Sequence, residues 1–387
     1  MTTRNDAQME RSLSVCHVVL SDRVWGAVRV VLSLAKYQSS HMRVWIAVNQ
    51  DLVSDLGLTN GIKVLPLPIN LGSRWPSTLD LVKAMDKFLL SARYLESAGS
   101  KFGWNLVHFH LPNAYLLSLL YRGLPKVFTI HGRIFENAVL RLFEPYLCLL
   151  AVRRAPTSAI SRYAVKGGWL SRRVQVIPNG VDPSLVSRLA HQADPEAKWL
   201  EEVRLRGGGP LLVFPGILIR RKGQDLVVDS MPLLLERLPH AKAVFLGEGP
   251  DETFLKERAR SLGVERSIFF LGYKKNPYPY LLIADVVLSH LSRRWPFPSL
   301  VDLEALALGK PVITYYTDEK YALYRDAVHY LREESPASLV KAIEDALVSD
   351  QPEARLARKD RALRLSWPRI VERYSRLYRL TLSCKRV

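Results

Sequence analysis

The sequence predicts an α/β protein with two domains, each built around a parallel sheet, and three observations support this class. Short apolar runs with strand character recur along the chain, and helical stretches separate them, as is typical of parallel sheets covered by helices. A length of 387 residues is sufficient for two domains of ordinary size. Hydrophobic residues make up 48% of the chain and charged residues 24%, a composition that indicates a globular protein.

The first half of the chain contains the first series of strand-like runs. They are Ser14–Leu20, Val44–Val48, Val64–Leu67, Leu106–His110, Lys126–Ile130, Ser158–Ser161 and Val174–Pro178. The stretch Val28–Ala35 has helical character, and Gly26 lies in the turn before it. A plain turn at Gly26 and a contact with a phosphate group both fit this pattern.

Histidines occur at the ends of two of these strands. His108 and His110 are spaced at the strand period of two, so they point to the same side of the sheet. Such residues are more often structural than catalytic, although His110 is placed where it could reach a binding site. The run Thr129–Gly132 (TIHG) ends the next strand, and the glycine in it allows the backbone to turn after His131.

The second half repeats the alternation after a charged passage, His191–Arg206, which we expect to be mobile. The predicted elements are the strands Leu211–Pro215, Ala241–Leu246, Ser267–Gly272 and Leu281–Leu288, the helix Gln224–Leu238, and helical structure through Ser338–Val348. The loop Gly216–Gly223 follows the first of these strands and contains Arg220, Arg221 and Lys222.

The stretch from Ser289 to Val312 predicts a strand, a loop, a helix and a further strand. Ser299 is a candidate N-cap, and Asp302 three residues later completes a capping-box pattern. We expect Asp302 at the solvated start of the helix and Glu304 among apolar neighbours. A buried carboxylate requires a cation or hydroxyl partners, so Glu304 is either a structural residue paired with Arg or Lys or a ligand-facing group.

Several of these motifs resemble those of retaining GT-B glycosyltransferases of the group 1, family 4-like type. The run Glu304–Val312 (EALALGKPV) is similar to the E-A-x-A-x-G-x-P-V half of their nucleotide-sugar motif. The loop Gly216–Gly223 is similar to their G-R-L-x-x-x-K-G loop, and Ile177–Asp182 (IPNGVD) to their marker at the end of the first domain. Two positions depart from the family pattern: Ile217 replaces an arginine, and Pro296 replaces the first glutamate.

The resemblance implies roles for individual residues. Catalytic roles fall on His131, Lys222 and Glu304, and acceptor-side roles fall on His110 and His131. Donor-binding roles fall on Gly26, Arg220, Arg221, Tyr273, Lys274, Ser299, Leu300 and Glu304. The family has no cofactor other than its nucleotide-sugar substrate, and the absence of an Asp-x-Asp motif argues against a metal-dependent single-domain transferase.

The implied architecture is a pair of Rossmann-like domains that face each other across a cleft. Their expected limits are residues 1–183 on the acceptor side, 184–366 for the nucleotide sugar, and 367–387 for a helix that returns to the first domain. The implied reaction is retaining transfer of a sugar to an acceptor. A sugar-nucleotide epimerase of the same fold and a non-catalytic scaffold remain as alternatives, the latter because of Ile217 and Pro296.

The net charge of +18 is concentrated in two segments. Arg133–Arg173 contains eight basic and two acidic residues, and Arg355–Val387 contains eleven basic and two acidic residues. Such concentration suggests an anionic membrane surface or a lipid-linked acceptor, whereas no nucleic-acid partner is expected. The sequence shows no apolar leader or spanning segment, and its three cysteines are widely separated. These features predict a cytoplasmic protein, and the two basic segments predict peripheral attachment to the inner face of the membrane.

Overall fold

The computed structural model describes residues 13–21, 26–56, 61–69, 85–131, 155–164, 172 and 174–383. The chain divides into two compact units, which we call the first and second domains. The first domain contains Met1–Gly180 together with Trp367–Val387, and the second contains Val181–Ser366.

The described part of the chain contains the following elements. The strands are β1 Ser14–Val19, β2 Arg43–Asn49, β3 Ile62–Leu67, β4 Leu106–His110, β5 Lys126–Ile130, β6 Thr157–Ala159, β7 Gln175–Val176, β8 Leu211–Pro215, β9 Lys242–Leu246, β10 Ile268–Phe270, β11 Val286–Leu288, β12 Val312–Tyr315 and β13 His329–Leu331. The helices are α1 Gly26–Gln38, α2 Met85–Phe102, α3 Leu111–Leu120, α4 Pro183–Ala190, α5 Pro195–Gly207, α6 Gln224–Arg237, α7 Glu252–Ser261, α8 Tyr278–Ile283, α9 Leu300–Ala307, α10 Asp318–Tyr324, α11 Pro336–Val348, α12 Pro352–Arg364 and α13 Trp367–Ser383.

The first domain is built on a parallel sheet with the strand order β3-β2-β1-β4-β5-β6-β7. The chain runs outward from β1 on one side and from β4 on the other, so the direction of winding reverses between these two neighbours. Open α/β sheets bind ligands outside the carboxyl ends of the strands at such a reversal. In the β1–β4 register, His17 lies opposite His108 and Val19 lies opposite His110.

The second domain is built on a parallel sheet with the order β10-β9-β8-β11-β12-β13. Here the winding reverses between β8 and β11. The loops that follow these two strands are 216–223 and 289–298, which are two of the segments that the sequence analysis selected. The two-domain α/β class with parallel sheets is therefore confirmed.

The prediction of a mobile passage at His191–Arg206 was wrong, because most of it forms the helix α5. Asp194 is the N-cap, and its carboxylate accepts hydrogen bonds from the amides of Glu196 and Ala197 at 3.1 and 3.0 Å. Pro195 occupies the first turn, and Gly208 ends the helix with φ +68°. The high charge of this passage belongs to the exposed face of a capped helix.

The closing helix α13 belongs to the first domain and packs against α1. Its apolar stripe is buried as predicted and contains Ile370, Val371, Tyr374, Leu377 and Tyr378. Gly180 lies so close to Trp367 that a Cβ on the glycine would be 2.6 Å from the indole ring. Among the helices that the structure describes, none is long and apolar enough to cross a bilayer.

The basic segment Arg355–Val387 is divided between the domains, which corrects the expectation that it lies as one piece on the first domain. Helix α12 belongs to the second domain. Its Arg358 is buried, donating to the carbonyl oxygen of Gly309 at 3.1 Å and pairing with Asp350 at 2.5 Å. Among the described residues of this segment, the arginines of α13 are those that lie on the first domain, and Arg369 and Arg373 are exposed there. Most of the other basic segment, Arg133–Arg173, lies outside the described residues.

Candidate functional site

The loop after β8 is shaped by two glycines with positive φ. Gly216 has φ +142°, and a Cβ there would be 3.2 Å from the Nζ atom of Lys222. Gly223 has φ +91°, and a Cβ there would be 2.8 Å from the Cβ of Leu291. The amide of Leu291 also donates to the carbonyl oxygen of Lys222 at 2.8 Å. The loops that follow β8 and β11 are therefore in direct contact at the point where the winding reverses.

The turn Gly247–Pro250 packs against the loop 216–223. The amide of Gly216 donates to the carbonyl oxygen of Leu246, and the amide of Leu218 donates to that of Glu248. A Cβ on Gly247 would lie 2.1 Å from the carbonyl oxygen of Gly216, so only glycine fits there. This close backbone contact holds the loop in one conformation.

Lys222 is the principal cation of this loop. Its ammonium lies 5.5 Å from the centre of the Trp295 ring, and no carboxylate pairs with it among the described residues. Burial, together with the nearby Arg221 guanidinium, lowers the pKa of Lys222 to about 8. A desolvated cation without a carboxylate partner is a ready site for an anion.

The two arginines before Lys222 differ in their contacts. The side chain of Arg220 lies 3.7 Å from the Asp251 carboxylate, and its guanidinium stacks over Phe254 at 4.6 Å. Arg221 instead lies 4.6 Å from the centre of the Trp295 ring, the same ring that Lys222 faces. The structure therefore brings Arg221 and Lys222 together, whereas Arg220 contacts α7.

His290, at the end of β11, is a site residue that the sequence analysis missed. Its backbone has φ +45°, a left-handed conformation that is uncommon for residues other than glycine. The Nδ1 atom donates to the carbonyl oxygen of Phe297 at 3.1 Å. Burial and the cations of Lys222 and Lys320 hold the pKa of His290 well below its usual value. A histidine directly after an apolar strand was the signal that could have identified it.

The predicted capping box is present at the start of α9. The Ser299 hydroxyl accepts a hydrogen bond from the Val301 amide at 3.1 Å, and the Asp302 carboxylate accepts one from the Ser299 amide at 3.1 Å. Leu300 is the first residue of the helix, where the positive end of the dipole favours an anion.

Asp302 is fully buried, so the prediction that it lies at a solvated helix start was wrong. The charge of the buried Lys320 favours the ionised carboxylate, and the Ser299 amide donates a hydrogen bond to it. The Nζ atom of Lys320 donates to the Thr314 hydroxyl at 2.8 Å. Burial raises the pKa of Asp302, although the Lys320 cation opposes this effect, and burial lowers the pKa of Lys320 to about 8.

Glu304 is buried on α9, as the sequence analysis expected. The hydroxyl of Tyr278 donates to its Oε1 atom at 2.8 Å, so a hydroxyl group is one of its partners. Tyr278 begins α8, which packs against α9.

Tyr273 and Lys274, the two residues expected near the nucleotide base, have other contacts in the structure. Tyr273 is 62% exposed. The ammonium of Lys274 pairs with the Glu196 carboxylate at 2.6 Å and lies 5.8 Å from the centre of the Tyr280 ring. Lys274 is therefore tied to the start of α5, whereas the ring of Tyr273 is accessible.

The first domain brings its two candidate histidines together at the end of the sheet. The Nδ1 atom of His110 and the Nε2 atom of His131 are 3.0 Å apart. His110 is fully buried, and His131 is half-buried at the end of β5. A third histidine, His17, continues the contact with its Nδ1 atom 2.9 Å from the Nε2 atom of His110. His17 was not among the predicted site residues, although a histidine inside an apolar strand was the available signal.

Gly26, the remaining candidate of the first domain, is the exposed first residue of α1. A Cβ on this glycine would meet no described atom within 4 Å, so packing does not account for the glycine. Its neighbour Trp25 and the residue after His131, Gly132, lie outside the described residues.

Two doubly wound parallel sheets with candidate residues at both winding reversals define a two-domain α/β protein of the GT-B class. Family models match both halves: "Glycosyltransferase Family 4" over residues 24–185 and "Glycosyl transferases group 1" over residues 196–363. The chain belongs to the group 1 glycosyltransferases of GT-B fold.

Individual relatives and solved structures agree with this assignment. An uncharacterized glycosyltransferase of Methanocaldococcus jannaschii is 27% identical over 224 residues, which are 54% of this chain and 55% of the relative. A GDP-mannose-dependent alpha-(1-6)-phosphatidylinositol monomannoside mannosyltransferase of Mycolicibacterium smegmatis is 32% identical over 160 residues, 40% of this chain and 41% of the relative. The chain thus spans about half the length of such curated relatives. The crystal structure of Anabaena HepE with UDP and glucose has a TM-score of 0.71 at 18% identity, covering 96% of this chain and 100% of HepE.

The electrostatic interaction between the two buried charges Asp302 and Lys320 leads to a stability prediction. Replacement Lys320→Met leaves the Asp302 carboxylate buried without its nearby cation, and we expect a loss of about 3 kcal/mol in the stability of the second domain. The double variant Lys320→Met with Asp302→Asn should regain part of this loss, because the two residues are coupled. Urea unfolding of each variant measures both effects.

Lys341→Met on the exposed face of α11 is the matched control and should change stability by less than about 0.5 kcal/mol. Strictly additive effects of the Lys320 and Asp302 substitutions would contradict an electrostatic interaction between the two residues.

Proposed function

We propose that the protein is a glycosyltransferase that binds a nucleotide sugar at the second domain and transfers the sugar to an acceptor. The observation that carries the proposal is the position of Lys222. This cation lies at the carboxyl end of β8, beside the winding reversal, and no carboxylate pairs with it among the described residues. A diphosphate would supply the missing negative charge.

The surrounding residues suit the parts of a nucleotide sugar. Lys222, Arg221 and the amino end of α9 would hold the diphosphate and offset the charge that develops on it as the sugar leaves. The buried Glu304 carboxylate would accept hydrogen bonds from ribose hydroxyls. In this proposal the protein's own cations stabilise the leaving group, and no metal is required.

The choice of donor is guided by what the similar proteins are said to use. The Mycolicibacterium smegmatis relative is named as GDP-mannose-dependent, and HepE was crystallised with UDP and glucose. GDP-mannose and UDP-glucose are therefore the first donors to test.

The proposed transfer retains the anomeric configuration. The bond between the anomeric carbon and the diphosphate oxygen breaks, and a bond to the acceptor oxygen forms on the same face of the sugar. The hydroxyl proton of the acceptor passes to the departing diphosphate. His131 of the first domain would contact the sugar or the acceptor.

The proposed acceptor is lipid-linked and lies at the inner face of a membrane. The charge of the basic segments supports this, since anionic lipid attracts exposed arginine and lysine. The Mycolicibacterium smegmatis relative is named for a phosphatidylinositol acceptor. The exposed arginines of α13 belong to the same domain as Arg133–Arg173.

Binding of GDP and UDP tests the role of Lys222. Lys222→Ala should weaken binding by about tenfold or more, because a charge-assisted hydrogen bond is lost. Wild-type affinity should also fall between about pH 7 and about pH 9.5, because the ammonium loses its proton near its pKa of about 8. Isothermal titration calorimetry measures both.

Lys222→Arg should remove most of this pH dependence, since the guanidinium keeps its charge over the range. Arg220→Ala is the matched control and should have little effect, because Arg220 contacts Asp251 and Phe254. Wild-type binding that is constant across the pH range would count against Lys222.

Sugar transfer tests the activity itself. Radiolabelled GDP-mannose and UDP-glucose are incubated with the protein and a bacterial lipid extract, and labelled lipid is measured. Glu304→Gln should reduce transfer on the order of a hundredfold, because the neutral amide accepts hydrogen bonds from the ribose hydroxyls more weakly than the carboxylate does. Glu344→Gln, on the surface pair with Arg237, should leave transfer unchanged.

The alternatives give different results in the same assay. An epimerase would convert the donor sugar without any acceptor, and a non-catalytic scaffold would bind nucleotide without turnover. Either result would replace the proposed transfer.

Flotation with liposomes tests the membrane surface. We expect the protein to float with anionic but not neutral vesicles, and the bound fraction to fall as salt increases, because salt screens exposed charge. Replacement of Arg153, Arg154, Arg172 and Arg173 by serine should release the protein. The matched control replaces four exposed arginines of the second domain, Arg206, Arg237, Arg258 and Arg260. It removes the same amount of charge and should leave the protein bound to the vesicles. Equal binding to both kinds of vesicle would contradict an electrostatic contact.

A further inference from the structure

A continuous chain of hydrogen bonds runs through the core of the first domain and ends at His131. One part joins Gln38 to histidines: Gln38 Oε1 lies 2.7 Å from His17 Nε2, and the chain continues through His110 to His131 at 2.9 and 3.0 Å. All members of this part except His131 are fully buried.

The other part starts from the same glutamine. The Nε2 atom of Gln38 donates to the Tyr378 hydroxyl at 3.1 Å, and that hydroxyl lies 2.7 Å from His108 Nδ1. His108 Nε2 lies 2.7 Å from the Thr129 hydroxyl, which is 2.6 Å from the Ser158 hydroxyl.

The parallel register brings these side chains together. His17 and His108 are opposite each other on β1 and β4, and His110 lies two residues further along the same face. Gln38 is the last residue of α1, and Tyr378 lies on the buried stripe of α13, which packs against α1. The two helices thus supply the polar groups that the strand histidines need in the core.

A backbone carbonyl determines which group donates and which accepts at each hydrogen bond of the second part of the chain. The Ser158 hydroxyl donates to the carbonyl oxygen of Phe128 at 3.3 Å, and a carbonyl can only accept. With its single proton used there, Ser158 accepts from Thr129 at 2.6 Å. Thr129 then has no proton left for the Tyr374 hydroxyl 3.5 Å away, so it accepts from that hydroxyl and from His108 Nε2. The Nδ1 atom of His108 therefore accepts from Tyr378, whose oxygen accepts from the Gln38 amide nitrogen.

The side-chain amide of Gln38 then determines which group donates at each hydrogen bond of the first part of the chain. With the nitrogen of Gln38 turned to Tyr378, its oxygen accepts a proton from His17 Nε2. A neutral imidazole has one N–H, so His17 Nδ1 accepts from His110 Nε2, and His110 Nδ1 accepts from His131 Nε2. Burial keeps all four histidines neutral at pH 7, with the pKa of His17 and of His131 at about 4 and those of His108 and His110 well below the usual value.

The three deeply buried histidines do not form a metal site in this arrangement. His17, His108 and His110 offer nitrogens within 4.8 Å of one another. The nitrogens of His17 and His110 are 2.9 Å apart, whereas two ligands of one tetrahedral zinc ion would be separated by roughly 3.4 Å. Both ring nitrogens of His108 and both of His110 already have hydrogen-bond partners within the chain.

We propose that Gln38 and Tyr378 are positioning residues that fix His131 as the tautomer protonated on Nε2. The Nδ1 atom of His131, which has no partner among the described residues, then offers only a lone pair. It can accept a hydrogen bond from a hydroxyl, and it repels a phosphate oxygen. The tautomer does not depend on the reaction, whereas assigning the hydroxyl to the sugar or to its acceptor rests on the proposed function.

Nitrogen-15 NMR of the full chain with labelled histidine tests the tautomer directly. The expected result for the wild-type protein is a protonated Nε2 and an unprotonated Nδ1 for His131, assigned by comparison with His131→Gln. The opposite tautomer, or an imidazolium, at about pH 7.5 would overturn the proposal. Addition of zinc should leave the spectrum unchanged, and shifts at His17, His108 and His110 on binding zinc would overturn it in favour of a metal site.

Two variants test the coupling over distance. Gln38→Leu and Tyr378→Phe should each give a mixture of His131 tautomers, because the chain no longer has a fixed direction. Tyr121→Phe is the matched control: it removes another buried hydroxyl of the first domain, one that accepts from the Leu124 amide at 3.0 Å, and it should leave His131 as one tautomer. A single unchanged tautomer in both folded variants would show that these residues do not set it.

Inorganic phosphate is the probe for the ligand class. Addition of phosphate at about pH 7.5 should not protonate His131 Nδ1, and protonation would contradict the proposed preference for a hydroxyl. This experiment needs no substrate, so failure of the proposed transfer reaction and failure of the tautomer remain distinguishable.

Discussion

The parallel pairing of β1 with β4 and of β8 with β11 is the constraint on which the candidate site depends. At each pair the winding of the sheet reverses, and the loops that follow the two strands are brought together. In the second domain, this pairing sets Lys222 beside the loop that contains His290 and Trp295. In the first domain, it aligns three histidines on one face. Neither group of residues is contiguous in sequence.

Local signals in the sequence were sufficient for the fold class and for much of the second domain. The capping box of Ser299 with Asp302, the burial of Glu304 and the apolar stripe of α13 were all predictable, because each depends on residues within a few positions. The helix α5 was missed although its N-cap and glycine stop are both present, since its high charge was interpreted as a solvated linker. Charge describes one face of a helix and does not decide whether the helix forms.

Contacts between distant residues account for what the sequence could not predict. The buried Asp302 carboxylate is favoured in its ionised form by Lys320, a residue of a different helix, and nothing in the local sequence around Asp302 indicates this interaction. The bond between Gln38 and Tyr378 joins residues 340 positions apart. From the local sequence, Gln38 is recognisable only as the end of a helix, and Tyr378 only as an aromatic residue of the core. The different contacts of Arg220 and Arg221 are equally invisible, because Asp251 and Trp295 come from separate loops.

The location of α13 has a consequence for the synthesis of the chain. The first domain contains both the first strand and the last described helix, and the second domain is inserted between Gly180 and Trp367. The whole of the second domain is synthesised before α13, so the first domain still lacks Tyr378 and the rest of the buried stripe during that time. The histidines of β1 and β4 therefore lack the Tyr378 hydroxyl until α13 has been made and has packed on the first domain. The domain that is begun first is therefore completed after the second domain has been made. During the synthesis of the second domain, the unfinished first domain is a substrate for chaperones.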